Sequence, residues 1–255
     1  LAAFVADAST EAMRKGGSPT TLLRDLLTQT TQPAGGASTS GNTAPRISAT
    51  GNALVITRPV ANASEGTPGQ DNVFVIPLIR NGSTVTPGPE QCVSCKAINA
   101  DGSNSSTNSN GVSRNAVLNA DATVVAWETT SKNALVGNDP TCPGTTTDVM
   151  LRNLVTGAAQ RVSQPSSVGA CTAGGGSRSP AIDFSGNMLA FESDLALTAS
   201  DQNPLSDIYV HDAIAAVTTQ ASRTAAGQPN GASTQPAISG NGGIVAFSST
   251  ASNLD

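Results

Sequence analysis

Pro180-Ala-Ile-Asp-Phe-Ser-Gly-Asn-Met-Leu-Ala-Phe191 holds two short apolar runs on either side of Ser185-Gly186-Asn187. Ser, Gly and Asn tolerate the left-handed backbone of tight hairpins, and a proline suits the start of a strand. The stretch therefore predicts two antiparallel strands joined by a turn. Its second half, small-apolar-small-aromatic, recurs along the chain: Leu1-Ala-Ala-Phe4, Ala53-Leu-Val-Ile56, Val124-Val-Ala-Trp127, Met188-Leu-Ala-Phe191 and Ile244-Val-Ala-Phe247. Eleven residues ahead of that aromatic position, four units read Pro45-Arg-Ile-Ser, Ala116-Val-Leu-Asn, Pro180-Ala-Ile-Asp and Pro236-Ala-Ile-Ser. The turns between are Thr50-Gly-Asn, Asp121-Ala-Thr, Ser185-Gly-Asn and Asn241-Gly-Gly.

A third strand follows in each unit: Thr20-Thr-Leu-Leu-Arg-Asp25, Asn72-Val-Phe-Val-Ile-Pro77, Asp148-Val-Met-Leu-Arg-Asn153 and Asp207-Ile-Tyr-Val-His-Asp212. A fourth comes after a short turn, as in Gln160-Arg-Val-Ser163 and Thr218-Thr-Gln-Ala-Ser222. Self-similarity at a long period marks solenoids, propellers or arrays. Four antiparallel strands per unit, repeated about an axis, is the blade of an all-β propeller. The units run 1–44, 45–112, 113–176, 177–233 and 234–255, the first and last partial, for about four blade equivalents in one continuous body. The aromatic positions stand 52, 71, 64 and 56 residues apart, more than the roughly 40–50 of a compact blade. The excess is expected in polar loops such as 86–113 and 137–147, where added length costs little entropy. Both ends of the chain supply a second strand, an arrangement expected of a segment of a longer polypeptide.

The sentence Pro-Ala-Ile-Ser, Gly-Asn, Ala-Phe-x-Ser, Asn-Leu, Asp-Ile-Tyr-Val-x-Asp resembles the TolB-like, WD-repeat-like propeller repeat of bacterial secreted and periplasmic proteins. The resemblance is closest over 177–255 and good over 113–163. It weakens over 45–85, where Ile56 replaces the aromatic and Ile76-Pro77 the charged pair. It implies the fold and says little of function, since one fold hosts many.

Only 12% of the 255 residues are charged, and the net charge is −5. Nucleic-acid binders carry a basic footprint, so that class is excluded. No apolar run approaches the eighteen or so residues of a membrane helix. The cysteines are Cys92, Cys95, Cys142 and Cys171. The pairings expected are Cys142 with Cys171 and Cys92 with Cys95, which point to an oxidising, extracytoplasmic compartment: periplasm, cell surface or medium. A zinc site from all four would need loops of two blades to converge.

The candidates for chemistry are few. His211 aligns with Arg24 and Arg152 at the end of the third strand, where a solvent-facing role is expected. Trp127 aligns with Phe4, Phe191 and Phe247, which alternation places in the core. Asp201-Gln-Asn203-Pro-Leu-Ser-Asp207 resembles the Asp-x-Asn loop of the repeat family. Its oxygens at Asp201, Asn203 and Asp207 suit a hard cation such as calcium, or else a pair of Asx turns. No GxSxG elbow, phosphate loop or HExxH occurs. Triplets at Asn62, Asn81 and Asn104 fit N-glycosylation, as chance allows in so Asn- and Ser-rich a chain.

The function expected is a non-catalytic binding or scaffold module with a protein or glycan partner on its loops, or a structural part of an envelope or extracellular assembly. The alternative is a propeller hydrolase or lyase, or the propeller domain of a larger hydrolase. Asp7, Asp183 and Glu192 are its candidate acids, and they occupy no common repeat position.

Overall fold

Ser48, Asn119, Asp183 and Ser239 close the four hairpins in one way. Each side chain accepts the backbone N–H five residues on: Ala53 to Ser48 Oγ at 3.1 Å, Val124 to Asn119 Oδ1 at 2.8 Å, Met188 to Asp183 Oδ1 at 3.0 Å and Ile244 to Ser239 Oγ at 3.0 Å. Short polar side chains that bond nearby backbone favour turns over regular structure, so this position ends the first strand. The computed structural model describes residues 2–6, 20–35, 45–133, 147–164, 175–224 and 227–254. Among them there are strands and turns and no α-helix.

The first sheet holds β1 (Ala2–Ala6), β2 (Thr20–Asp25) and β3 (Thr30–Pro33). The second holds β4 (Arg46–Ile47), β5 (Ala53–Pro59) and β6 (Asp71–Asn81), with β7 (Thr84–Pro87) and β8 (Gln91–Cys92) both on β6. β9 (Lys96–Ile98) and β10 (Asn104–Asn108) form a separate hairpin. The third sheet runs β11 (Ser113–Leu118), β12 (Val124–Thr129), β13 (Asp148–Asn153), β14 (Ala159–Arg161). The fourth runs β15 (Ser177–Ile182), β16 (Met188–Ser193), β17 (Asp207–Asp212), β18 (Val217–Gln220). The last pairs β19 (Ser233–Ile238) with β20 (Val245–Ser249). Every pairing within these sheets is antiparallel, and successive sheets stand side by side with β4, β11, β15 and β19 innermost. This is the propeller arrangement.

The insert at 86–113 departs from the expected loop. Residues 91–94 are the outer strand of the second blade: Val93 N–H donates to Val73 O at 2.9 Å, and Ser94 Oγ donates to Asn72 Oδ1 at 2.8 Å. The same bond joins Ser163 to Asp148 at 2.9 Å and Ser222 to Asp207 at 2.6 Å. The excess length went instead into the β6–β7 extension and the β9–β10 hairpin, both of which satisfy their own backbone. Cys92 and Cys95 form a disulfide with Cα atoms 5.8 Å apart, holding the reversal after β8. The pairing expected of Cys142 with Cys171 lies outside the described residues, as does Asp7.

Packing explains the small-apolar-small-aromatic pattern. Alternation sends Val125 and Trp127 toward the second sheet, where they meet Val55, Val73 and Val75. Val124 and Ala126 face the other way, against Leu189, Phe191 and Tyr209 of the fourth sheet. Phe191 and Tyr209 stack with centroids 6.1 Å apart. One blade thus offers a large ring, and the preceding blade offers small side chains to receive it. Ile56 fills the same role against Leu23. Burying each ring contributes on the order of 2–3 kcal/mol.

The equivalent rings differ in burial, since Trp127 is 1% exposed while Phe247 is half-buried. Trp127→Ala is expected to lower unfolding free energy by about 3–5 kcal/mol, and Phe247→Ala by about 1–2 kcal/mol, in urea titrations. Equal losses would contradict the packing scheme.

Candidate functional site

The inner strands line the hub, and each of three carries a bulge. Pairing slips between Arg114 and Val117, Arg178 and Ala181, and Thr234 and Ala237. At the slip Asn115, Ser179 and Gln235 adopt φ of 52°, 56° and 57°, a left-handed conformation costing a non-glycine residue about 1–2 kcal/mol. At Ser179 and Gln235 a carboxylate from the preceding blade offsets the cost. Glu128 Oε1 accepts Ser179 N–H at 2.7 Å, and Glu192 Oε2 accepts Gln235 N–H at 3.2 Å. Both carboxylates are buried, and each is paired with the arginine opposite it across its own hairpin: Arg114 with Glu128 at 3.9 Å, and Arg178 with Glu192. Arg178 also forks onto Asp194 at 2.6 and 2.9 Å, and this pairing drives its pKa above the usual arginine value.

Glu192, one candidate acid, is therefore a latch between blades. Asp183, another, is a turn acceptor whose second oxygen takes the Ser185 hydroxyl at 2.6 Å. The structure does not bring the two together on one cavity. What lines the hub instead is a cavity of about 410 Å³ bounded by Arg46, Asn115, Ser179, Gln235, Pro180 and Pro236. One guanidinium, two carboxamides and a hydroxyl line it. Such groups bind carboxylates, amides and sugar hydroxyls. The bulges were not foreseen from the sequence. Their only signal was the residue before the Pro-Ala-Ile position.

Of the calcium candidates, Asp201 and Asn203 lie in the loop between β16 and β17, and Asp207 opens β17. Asn203 N–H donates to Asp201 Oδ1 at 3.3 Å, and Leu205 N–H to Asn203 Oδ1 at 2.8 Å, so two successive Asx turns shape the loop. Asp201 Oδ2 accepts the Tyr209 hydroxyl. Burial and that contact hold the Tyr209 phenol in its neutral form. Asp207 Oδ1 takes Ser222. Its Oδ2 is buried beside Gln220 and makes no well-formed hydrogen bond among the described residues. Burial raises the Asp207 pKa above the ordinary carboxylate value.

His211 corrects the expected solvent-facing placement. It shares strand parity with Tyr209, so it points at the third blade and is buried. Its Nδ1 lies 3.0 Å from Thr218 Oγ1, and its Nε2 has no hydrogen-bond partner among the described residues. Arg152, its counterpart, is likewise buried. Trp127, as expected, is core.

No family model matches the sequence, and no curated protein sequence matches it. Solved structures do. A prolyl endopeptidase aligns over 91% of this chain and 28% of its own at 9% identity, with a TM-score of 0.53. TolB from Acinetobacter baumannii aligns over 89% and 42% at 14% identity, TM-score 0.44. A TolB from Agrobacterium tumefaciens, described as putative, aligns over 93% and 65% at 12% identity, TM-score 0.46. The chain thus spans less than two thirds of each of these proteins. The class that the blades define is the β-propeller, and the likeness to the endopeptidase chain agrees. Among the described residues no helix is long and apolar enough to cross a membrane.

Burial of His211 lowers its pKa from the usual 6.5. The unfolded chain then takes up more protons on acidification, so stability falls as pH drops through that value. Urea midpoints between about pH 7 and 5 should decline, and His211→Gln should flatten the decline. An unchanged slope in the variant would contradict the buried neutral imidazole.

Proposed function

We propose that this chain is an extracytoplasmic, non-catalytic binding or scaffold propeller of the TolB-like, WD-repeat-like kind, and that the hub is where its partner docks. The observation that carries the reading is the division of labour among polar groups. Glu128, Glu192 and Asp183 are held by backbone donors, by arginine and, for Glu128, by the Asn115 side-chain amide at 2.9 Å, while Arg46, Ser179 and Gln235 line an open cavity. Acids bound in this way are poor proton shuttles, whereas a hub of donors and amides suits recognition. Around it, the described loop residues 108–112, 130–133, 198–206, 222–224 and 227–232 present mainly Asn, Ser, Thr, Gln and Gly. Such a rim fits a protein segment bearing a carboxylate, or a glycan. The Cys92–Cys95 disulfide and the low charge support an oxidising compartment. The rival, a hydrolase or lyase, would require Glu192 or Asp183 to leave these bonds.

Immobilised protein screened against acidic peptides and oligosaccharides tests the reading. Binding should weaken on the order of tenfold in Arg46→Ala and in Gln235→Ala, with the melting temperature held. Turnover of a peptide or polysaccharide, abolished by Glu192→Gln, would contradict it and favour the rival.

A structural calcium at Asp201, Asn203 and Asp207 is a second proposal, favoured by the buried Asp207 Oδ2. Calcium should then raise the melting temperature and EDTA reverse it, and Asp207→Asn should abolish the response. Asparagine is compatible with that position, because Asn72 holds it in the second blade. A melting temperature indifferent to calcium would leave the two Asx turns as the whole account of the loop.

A further inference from the structure

The first–second and third–fourth turns of every complete blade share one face, tied by backbone bonds such as Leu154 N–H to Thr123 O at 2.7 Å and Ala213 N–H to Asn187 O at 2.8 Å. Across blades the turns continue the tie, Ala120 N–H to Phe184 O at 3.1 Å and Phe184 N–H to Gly240 O at 2.9 Å. Every exposed large apolar side chain among the described residues sits on or beside one of these turns or on the β6–β7 extension that rises from them. Three of them recur at one repeat position. Leu27, Val155 and Ile214 follow an Asp or Asn whose Oδ1 accepts their N–H at 2.9 Å, so each stud is fixed by an Asx turn. They are 75 to 82% exposed. The opposite face carries the polar loops. A monomer seldom keeps so segregated an apolar face without an interaction.

The same face holds a projection and a recess. β13 and β17 end at Asn153 and Asp212, the level of Pro77, but β6 runs on to Asn81. The hairpin therefore stands about 13 Å higher, at roughly 3.3 Å per residue. It exposes Ile79 and Arg80. The recess, about 490 Å³, opens between the third and fourth blades with Val124, Leu151 and Ala159 in its wall and Ile214 and Asp101 at its rim. Asp101 is set there because Gly102, at φ 85°, lets the β9–β10 turn accept Ala159 N–H at 2.9 Å. A Cβ at that glycine would meet Ala159 O at 2.8 Å.

We propose that this face is a docking surface for a second copy of the chain, with the β6–β7 hairpin of each copy seated in the recess of the other. This goes beyond the hub reading and does not depend on it. A projection and a recess on one face become mutually complementary under a two-fold axis lying in the plane of contact, whatever their separation. Apolar Ile79 meets an apolar wall, and the Arg80 guanidinium meets the Asp101 carboxylate. Charge complementarity favours a second copy over a lipid surface, which offers no such matched pair.

Sedimentation velocity over a protein concentration series is the test, with and without phosphatidylcholine vesicles. Wild type should show a reversible monomer–dimer equilibrium. Arg80→Glu and Asp101→Arg should each weaken it on the order of tenfold, because the two-fold repeats the pair, and the double exchange should restore it. Ile214→Asp should abolish it. All three positions are exposed, so the substitutions leave the core intact; far-UV dichroism confirms folding, and the restored double exchange rules out misfolding as the cause. Wild type monomeric at every concentration, a dimer indifferent to the exchanges, or a monomer that sediments with the vesicles would each overturn the proposal.

Discussion

The seam between neighbouring sheets is the constraint on which the rest of this structure depends. A lone three- or four-stranded sheet cannot bury both faces and is marginal in water. Here each sheet gives its large side chain to the blade before it and its small ones to the blade after it. Trp127 against Val55 and Val75, and Phe191 against Ala126, are successive instances. Two of the seams close a second time at the hub, where buried Glu128 and Glu192 each grip the bulged N–H of the next inner strand. Stability in such an array is shared between neighbours, so no blade stands alone.

That economy bears on function. The acids nearest the hub hold backbone, and the groups left to meet a partner on the cavity wall include Arg46, the Ser179 hydroxyl and the Gln235 amide. Left-handed backbone at Ser179 and Gln235 sets those residues on the cavity wall, and the latches keep the geometry from relaxing, while the Asn115 amide donates to Glu128 at 2.9 Å. The molecule also separates chemistry by face. Polar loops surround one end of the hub, and fixed aliphatic studs surround the other.

The strand pattern, the hairpin turns and the aromatic plugs were legible in the sequence because they depend on residues close along the chain, whereas Asp183 read as a candidate acid and not as a hairpin bracket. Ser48, Asn119, Asp183 and Ser239 bond five residues on, and Trp127 follows from alternation. The latches were not legible, since Glu128 and Glu192 act on N–H groups 51 and 43 residues away in a different blade. The outer strand at 91–94 was masked by its polar insert, although Gln91-Cys-Val-Ser94 repeats Gln160-Arg-Val-Ser163. His211 misled because its neighbours in the alignment are arginines, usually solvated. Strand parity with Tyr209 places it inward. The calcium candidates showed their residue types, but not that Asx turns and the Tyr209 hydroxyl would engage Asp201 and Asn203.

Native-state hydrogen exchange on Glu192→Ala probes the seam most directly. Removing that carboxylate should unprotect amides on both sides together, in β15–β16 and in β19–β20, including Gln235. Loss of protection confined to β15–β16, with β19–β20 unchanged, would show that the blades do not hold one another and would contradict the account.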